Sequence, residues 1–400
     1  MGSLRRAATV AFAVLTWLAV VAPADAQPRR RMRVVDVCES GPGVKLVTMG
    51  VGSLMWERHG HIALCHCFGE EQRSQNVCYN YGIGDFQHPL QMGWGFFRAN
   101  KSFWVGKQDP EEMAWIYQYN DRTIWVQSLP LTAAQQKQVI DKLELDVLED
   151  NKHYSYDHFW DNFTTRVRDV IDDATGGALR SMTETTDDRT IRDLAREGFY
   201  GIPNSQIALL ITDIGMGRVT DHVPSYWERM FLPDYLREAV QTKWGVEPRV
   251  IFQRQGPPGQ KDGPSGRLWF ALIVVLLTAP AWATRLWGRF QRTGLAFAVI
   301  PPVLLGLVYW ALAIVSPLPY VRWNETCLTL MPFDLLLLVL PVARRQAYAK
   351  GRVIMLVGVA ALLLVNVLKA PIWPTWLWAL VPNLVVAFLP TTGFRGRRAR

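Results

Sequence analysis

Three histidines, His59, His61 and His66, lie close together beside Cys65 and Cys67. If this segment is a strand, His59 and His61 share one face with both cysteines, because side chains alternate between the two faces. Histidine and cysteine bind zinc, but His61 and Cys65 would lie roughly 13 Å apart along a strand, too far for one ion. A metallohydrolase that uses His59, His61 and a third ligand from elsewhere stays open. The alternative is that these histidines only form hydrogen bonds on a half-buried strand.

A second segment predicts the start of a helix, a position that would favour an anionic nucleophile. Asn162 is a favourable helix cap, so residue 163 falls in the first turn, where unpaired N–H groups and the helix dipole favour an anion. A cysteine there would have a lowered thiol pKa and would be a good nucleophile. The sequence has Phe163 at this position, and a phenyl ring can pack but cannot attack a carbonyl carbon.

The elements that position these residues follow from hydrophobic periodicity. Alternation predicts five strands, at Val44–Met49, His61–Cys67, Val77–Tyr81, Ser102–Gly106 and Thr123–Leu129. Helical patterns predict helices at Pro110–Tyr119, after the capping box Thr132 to Gln135, after Asn162, and at Ile191–Glu197, Ile207–Ile214 and Tyr226–Val240. The sum is an α+β domain rather than a doubly wound fold, because strands and helices do not alternate strictly.

The composition indicates a membrane protein with a soluble part. Half of the 400 residues are hydrophobic and only 20% are charged, which excludes a disordered chain. The apolar residues concentrate in the last third of the sequence, which points to membrane-spanning segments there. The net charge of +8 does not indicate nucleic-acid binding, because no basic stripe with interleaved aromatic residues is present.

The N-terminal residues 1–26 have the pattern of a secretory signal peptide. Arg5 and Arg6 precede an apolar stretch, and Ala24 and Ala26 form an Ala-x-Ala cleavage site. An uncleaved N-terminal anchor is the alternative. In either case residues 27–252 are expected to form an exported domain, followed by a Pro/Gly-rich linker at 253–266.

Residues 267–390 are predicted to form five transmembrane helices, ahead of a basic tail at 391–400. The predicted spans are Leu268–Ala283, Leu295–Val315, Cys327–Val342, Val353–Leu368 and Trp373–Leu389. Basic residues follow the first, third and fifth spans, so the positive-inside rule places the C-terminus in the cytoplasm and the soluble domain outside it. The signal peptide predicts the same orientation, that of a multi-pass membrane protein with an exported soluble domain.

Four cysteines of the exported domain are expected to form disulfides, as is usual in an oxidising compartment. Cys38, Cys65, Cys67 and Cys78 allow three pairings. The geometry of neighbours on one strand face makes Cys65 with Cys67 the least favourable pair. Cys327 lies at a membrane edge.

Six segments, in order along the chain, carry a family resemblance. They are Glu57–Leu64, Cys78–Gly82, Arg122–Leu129, Asp161–Asp169, Tyr226–Leu236 and Asn324–Thr326. Together they resemble the Lnb N-terminal periplasmic domain family. The resemblance implies a papain-like, NlpC-type α+β domain in circularly permuted order, with the histidine strand ahead of the nucleophile helix.

The resemblance also implies a reaction. Characterised relatives are lipoprotein N-acyltransferases, which transfer a fatty acyl chain from a phospholipid to the N-terminal cysteine of a diacylated lipoprotein. On this template His61 matches the general base, Asn80 is a candidate to orient it, and Phe163 stands where the nucleophilic cysteine is expected. No cofactor is implied, and the expected partners are phospholipid or acylated lipoprotein in the bacterial inner membrane.

The chain departs from the family at this position. The expected Asn-Cys-Thr-Thr reads Asn162-Phe163-Thr164-Thr165, so the thioester route lacks its nucleophile, and threonine is a poor substitute unless strongly activated. Two functions therefore stay open: an acyltransferase-like protein that uses another nucleophile, and a non-catalytic relative that binds lipid, lipoprotein or a partner protein through the retained groove.

Overall fold

The computed structural model of the protein describes residues 33–85, 88–202 and 205–389. The predicted signal peptide and the basic C-terminal tail lie outside the described residues. From Val35 onward the described chain belongs to one structural unit.

The exported part contains a seven-stranded sheet whose pairings are all antiparallel. The strands are β1 (Gly43–Met49), β2 (His61–Cys67), β3 (Val77–Gly84), β4 (Phe103–Gln108), β5 (Ile124–Ser128), β6 (His153–Tyr154) and β7 (Arg249–Phe252), in the order β6-β4-β3-β2-β1-β5-β7. All five predicted strands are confirmed, with small shifts at their ends. The two edge strands, β6 and β7, carry no prediction, because two to four residues are too few for a periodic pattern.

Among the described residues, the exported part contains eight α-helices. They are α1 (Pro89–Phe97), α2 (Pro110–Tyr119), α3 (Ala133–Asp146), α4 (Phe163–Ala174), α5 (Ile191–Glu197), α6 (Ser205–Gly215), α7 (Tyr226–Arg229) and α8 (Pro233–Trp244). Those with a predicted N-terminal cap begin where the sequence predicts. Thr132 and Asn162 cap α3 and α4 as expected. The single helix predicted at Tyr226–Val240 is wrong, since Leu232 is extended and Pro233 begins a new helix.

The core of this part lies between the sheet and helix α4. Leu64 and Tyr81 from the central strands and Val167 and Ile171 from α4 are fully buried in one hydrophobic cluster. Val167, Val170, Ile171 and Ala174 of α4 recur at helical spacing, so one face of the helix packs on the sheet. This packing fixes the position of the first turn of α4, where Phe163 lies.

The C-terminal part contains three helices long and apolar enough to cross a membrane among the described residues. They are α9 (Arg267–Trp287), α10 (Gln291–Val315) and, after three short helices, α14 (Val342–Leu364). The three short helices are α11 (Pro319–Arg322), α12 (Thr326–Thr329) and α13 (Leu336–Val339). The last helix, α15 (Trp373–Phe388), is apolar but has only 16 residues.

The predicted third span, Cys327–Val342, is not a continuous helix. It consists of α12, a 3-10 turn at Pro332–Leu335 and α13, with Leu340 extended before Pro341. Proline lacks the N–H that a helix interior requires, so Pro332 and Pro341 each interrupt the helix. Arg352 falls between the predicted third and fourth spans, but it is buried within α14 and pairs with Asp334 at 3.0 Å.

The exported part and the membrane helices are joined by buried polar contacts. Asp213 of α6 accepts two hydrogen bonds from Arg267, the first residue of α9, at 2.7 and 3.0 Å. Asn324 donates a hydrogen bond from Nδ2 to the carbonyl oxygen of Ile214 at 2.8 Å. Residues of the Pro/Gly-rich linker also bond to the domain, as Gly256 does to Asp121.

Candidate functional site

His61 is the first residue of β2, and its ring lines a cavity. Its Nε2 lies 3.2 Å from Oδ1 of Asn80, which is opposite Ala63 on the neighbouring strand. Burial, followed by the positive charge of Arg122, lowers the pKa of His61 to about 3, while the hydrogen bond to Asn80 acts in the opposite direction. The imidazole is therefore neutral at pH 7, and it is a weaker base than a free histidine.

Phe163 begins helix α4 directly beside this histidine. The Asn162 side chain accepts hydrogen bonds from the N–H groups of Thr164 and Thr165 at 2.8 and 2.9 Å, which fixes the first turn. The Phe163 ring centroid lies 4.9 Å from that of His61. Gly82 packs closely against Phe163, since a Cβ atom at this glycine would lie 3.1 Å from the Phe163 ring. The fold thus brings His61, Asn80 and Phe163 into one place.

The cavity has a volume of about 610 Å³ and an asymmetric lining. Its polar end contains Glu57, His61, Asn80, Gln108, Tyr117 and Arg122. Its larger, apolar part is formed by aromatic and aliphatic side chains, including Met92, Phe96, Phe97, Tyr156, Phe159, Phe199 and Ile211. A site of this volume with few polar groups is typical of apolar or amphipathic small molecules.

The membrane part contributes one wall of the cavity. Tyr320 and Val321 of α11 line it, and the Tyr320 ring packs edge to face on Phe159 at 4.9 Å. Gly215 and Met216, at the end of α6, complete this side. The apolar part of the cavity therefore borders the helices that follow the exported domain, whereas the polar end lies at the strands.

His59 lines the same cavity but bonds elsewhere. Its Nε2 lies 2.8 Å from the carbonyl oxygen of Ala195, and burial lowers its pKa. The His158 ring lies 5.2 Å away, and burial lowers the pKa of His158 to about 3. Within residues 33–85, 88–202 and 205–389 no group of three His, Cys, Asp or Glu residues could hold a metal ion. The described chain thus supplies no third ligand for the metallohydrolase hypothesis.

None of the five cysteines offers a thiol to the cavity. Cys38 is bonded to Cys67, and Cys65 to Cys78, which lies directly opposite it on β3. The disfavoured disulfide between Cys65 and Cys67 is absent, because each of these residues forms its disulfide with a cysteine on another segment. Cys327 is free but buried in α12, and it is not among the residues that line the cavity.

The two threonines after Phe163 do not offer a hydroxyl group to the cavity. Thr164 is completely buried and Thr165 is 1% exposed, and neither lines the cavity. The Thr165 hydroxyl donates to the carbonyl oxygen of Asn162 at 3.0 Å as part of the helix cap. Their role in the described structure is to build the first turn of α4.

Several cavity residues have no role in the sequence-based prediction. Tyr117 lies near the end of α2, Arg122 lies in the turn before β5, and Tyr320 comes from a helix of four residues. Arg122 does begin one of the segments of family resemblance, which was the only signal for it. No periodic pattern marks Tyr320, because its importance depends on the contact between distant parts of the chain.

Comparison with known proteins agrees with this architecture. Residues 42–197 match the Lnb N-terminal periplasmic domain, a region that runs from the start of β1 to the end of α5. It includes His61, Asn80 and Phe163. The segments of resemblance after Glu197 lie outside it. No curated protein and no solved structure shows a significant match to the chain. Residues 42–197, which are less than half of this membrane protein, are therefore similar to the Lnb N-terminal periplasmic domain family.

Proposed function

We propose that this protein is a membrane-anchored, non-catalytic relative of the lipoprotein N-acyltransferases, and that it binds a single acyl chain of a phospholipid or lipoprotein without transferring it. The observation that carries the proposal is the Phe163 ring, 4.9 Å from His61 at the position where the family nucleophile is expected. A phenyl ring cannot form a thioester, and a neutral His61 has no adjacent thiol to deprotonate.

The cavity supports acyl-chain binding. Its lining is mainly apolar and its volume of about 610 Å³ lies within the range of small-molecule sites. Phe163 is half-buried and contributes apolar surface to the same cavity. Replacement of a cysteine by phenylalanine therefore removes the covalent step while retaining, and extending, the apolar surface that would hold a chain.

The contacts of the membrane part support five crossings, with the third one broken. Tyr320 lies beside the exported domain, whereas Leu337 packs with Val299 in a cluster that also contains Val385. Beyond α15, the Leu389 carbonyl oxygen accepts a hydrogen bond from Arg285 near the end of α9 at 2.7 Å. We therefore place the exported domain in the periplasm and the C-terminus, on the side of Arg285, in the cytoplasm. The permuted NlpC-type order, with the His61 strand ahead of the Phe163 helix, belongs to the same proposal.

The test compares the purified full-length protein with its Phe163→Cys variant in phospholipid nanodiscs. Intact mass spectrometry would detect an acyl adduct, and a diacylated lipopeptide would serve as acceptor. We expect reversible chain binding but no adduct and no transfer for the wild type. We expect an adduct in Phe163→Cys that is lost in Phe163→Cys/His61→Ala.

Acyl transfer by the wild-type protein would overturn the proposal, because another residue would then act as nucleophile. Absence of chain binding by the wild type would overturn the binding function itself. Absence of an adduct in Phe163→Cys, with chain binding intact, would leave the wild type a binder. It would also show that the histidine and the helix no longer form a competent pair.

A further inference from the structure

Arg122 places a buried guanidinium at the polar end of the cavity. Only 4% of its surface is exposed. Its Nε donates to the carbonyl oxygen of Gly50 at 2.8 Å, and its Nη1 lies 3.5 Å from the Glu57 carboxylate. Its Nη2 is buried and has no hydrogen-bond partner. A buried cationic donor without a partner has a free-energy cost, which a bound anion would offset.

Arg122 belongs to a column of planar groups that leads to the site of Phe163. The guanidinium carbon lies 4.6 Å from the centroid of the Tyr117 ring. The Tyr117 ring is nearly parallel to His61 with centroids 6.0 Å apart, and His61 is followed by Phe163 at 4.9 Å. All four residues line the cavity. Arg122 is therefore at the opposite end of this column from Phe163, and the head of a bound chain would lie beside its guanidinium group.

The surroundings of Arg122 carry an excess of positive charge. Arg122, Arg254 and Arg58 donate to the three successive carbonyl oxygens of residues 50, 51 and 52, at 2.8, 2.8 and 2.5 Å. The carboxylates paired with this cluster are Glu57, at 3.5 Å from Arg122, and Asp121, at 3.9 Å from Arg254. Three guanidinium groups thus face two carboxylates, and the electrostatic potential near Arg122 favours an anion.

We propose that Arg122 binds the anionic head of the ligand, and that the cavity selects a lipid whose head group carries a carboxylate or a phosphate. This inference rests on the proposed acyl-chain binding and names its ligand class. A guanidinium forms strong charge-assisted hydrogen bonds with both groups. The chain would extend from Arg122, past Phe163, toward Phe159 and Tyr320.

The test measures binding of palmitate, palmityl phosphate and the uncharged palmityl alcohol to the full-length protein by native mass spectrometry from nanodiscs. We expect both anions to bind at least tenfold more tightly than the alcohol. The tighter of the two anions identifies the head group as a free carboxylate or a phosphate. In Arg122→Gln we expect this preference to disappear while the alcohol binds as before.

Arg254→Gln is the matched control, because it removes the same charge from the same cluster but does not line the cavity. We expect it to keep most of the preference for anions.

Equal losses of this preference in both variants would overturn direct contact by Arg122. Equal binding of anions and alcohol to the wild type would overturn the anion proposal even if Arg122→Gln failed to fold, and would leave acyl-chain binding intact. Binding of none of the three compounds would overturn both proposals.

Discussion

The rings of His61 and Phe163 lie 4.9 Å apart, centroid to centroid, although 102 positions separate them in the sequence. One residue begins a strand and the other begins a helix, and the packing of α4 on the sheet brings the two ends together. In a catalytic relative this contact would join a base to a nucleophile. Here it joins a neutral imidazole to a hydrocarbon ring.

The half-buried His61 predicts a pH dependence of stability. Its pKa is lowered to about 3 in the folded protein, against about 6.5 in the unfolded chain. The unfolded state therefore binds more protons between these values, so the free energy of unfolding falls as the pH drops from about 6.5 toward 3. Allowing for water in the cavity, we expect His61 to account for on the order of 1–2 kcal/mol at pH 4.5.

His61→Gln should flatten this dependence, as measured by thermal unfolding in detergent between pH 7 and 4.5. His153→Gln, which alters an exposed histidine on the edge strand β6, is the control and should leave the slope unchanged. Equal slopes for wild type and His61→Gln would contradict the prediction.

The cap of helix α4 predicts an unusually large loss of stability for Asn162→Ala. The Asn162 side chain accepts hydrogen bonds from two backbone N–H groups. Its Nδ2 donates to the carbonyl oxygens of His158 and Phe231, at 2.7 and 2.9 Å. Loss of a cap costs about 1 kcal/mol, and the buried groups left unpaired raise the total to about 2–4 kcal/mol. Thr132→Ala, which removes the exposed cap of α3, should cost about 1 kcal/mol in the same unfolding measurement. Similar losses in the two variants would argue against the buried network.

The disulfides predict a specific peptide map. Non-reducing digestion of the exported protein should yield linked peptides for Cys38 with Cys67 and for Cys65 with Cys78, and Cys327 should be alkylated only after denaturation. Closure of the 13-residue separation between Cys65 and Cys78 contributes about 3 kcal/mol in the chain-entropy account. Cys65→Ala/Cys78→Ala should lower the free energy of unfolding by about that amount. A link from Cys38 to any other cysteine would contradict the structure.

The cavity predicts that a large side chain at Gly93 will block chain binding. Gly93 lies in α1 on the cavity wall, and a Cβ atom there would have no atom within 4 Å. Gly93→Phe should therefore fold and should weaken palmitate binding at least tenfold by occupying the space of the chain. Gly351→Phe is the matched control, because Gly351 is also helical with open space but does not line the cavity. Unchanged affinity in Gly93→Phe would place the chain elsewhere.

The sequence by itself predicted five strands, the capped helices and the positions of two of the three long membrane helices. These features depend on local periodicity and on caps within a few residues, as at Thr132 and Asn162. The family resemblance likewise pointed to His61, Asn80 and Phe163, and these three residues lie together in the structure. The prediction failed where local pattern conflicts with proline, at Pro233 and in the broken segment around Pro332.

Only the tertiary structure decided what the site contains. The pairing of Cys65 with Cys78 depends on the register of β2 and β3, which a list of cysteines does not specify. The buried Arg122 and the wall formed by Tyr320 depend on contacts between segments far apart in the sequence. Such contacts arise from the packing of whole elements, whereas caps and periodicity act between neighbours. For this reason the sequence indicated the unusual phenylalanine at position 163, and the fold revealed the cavity around it.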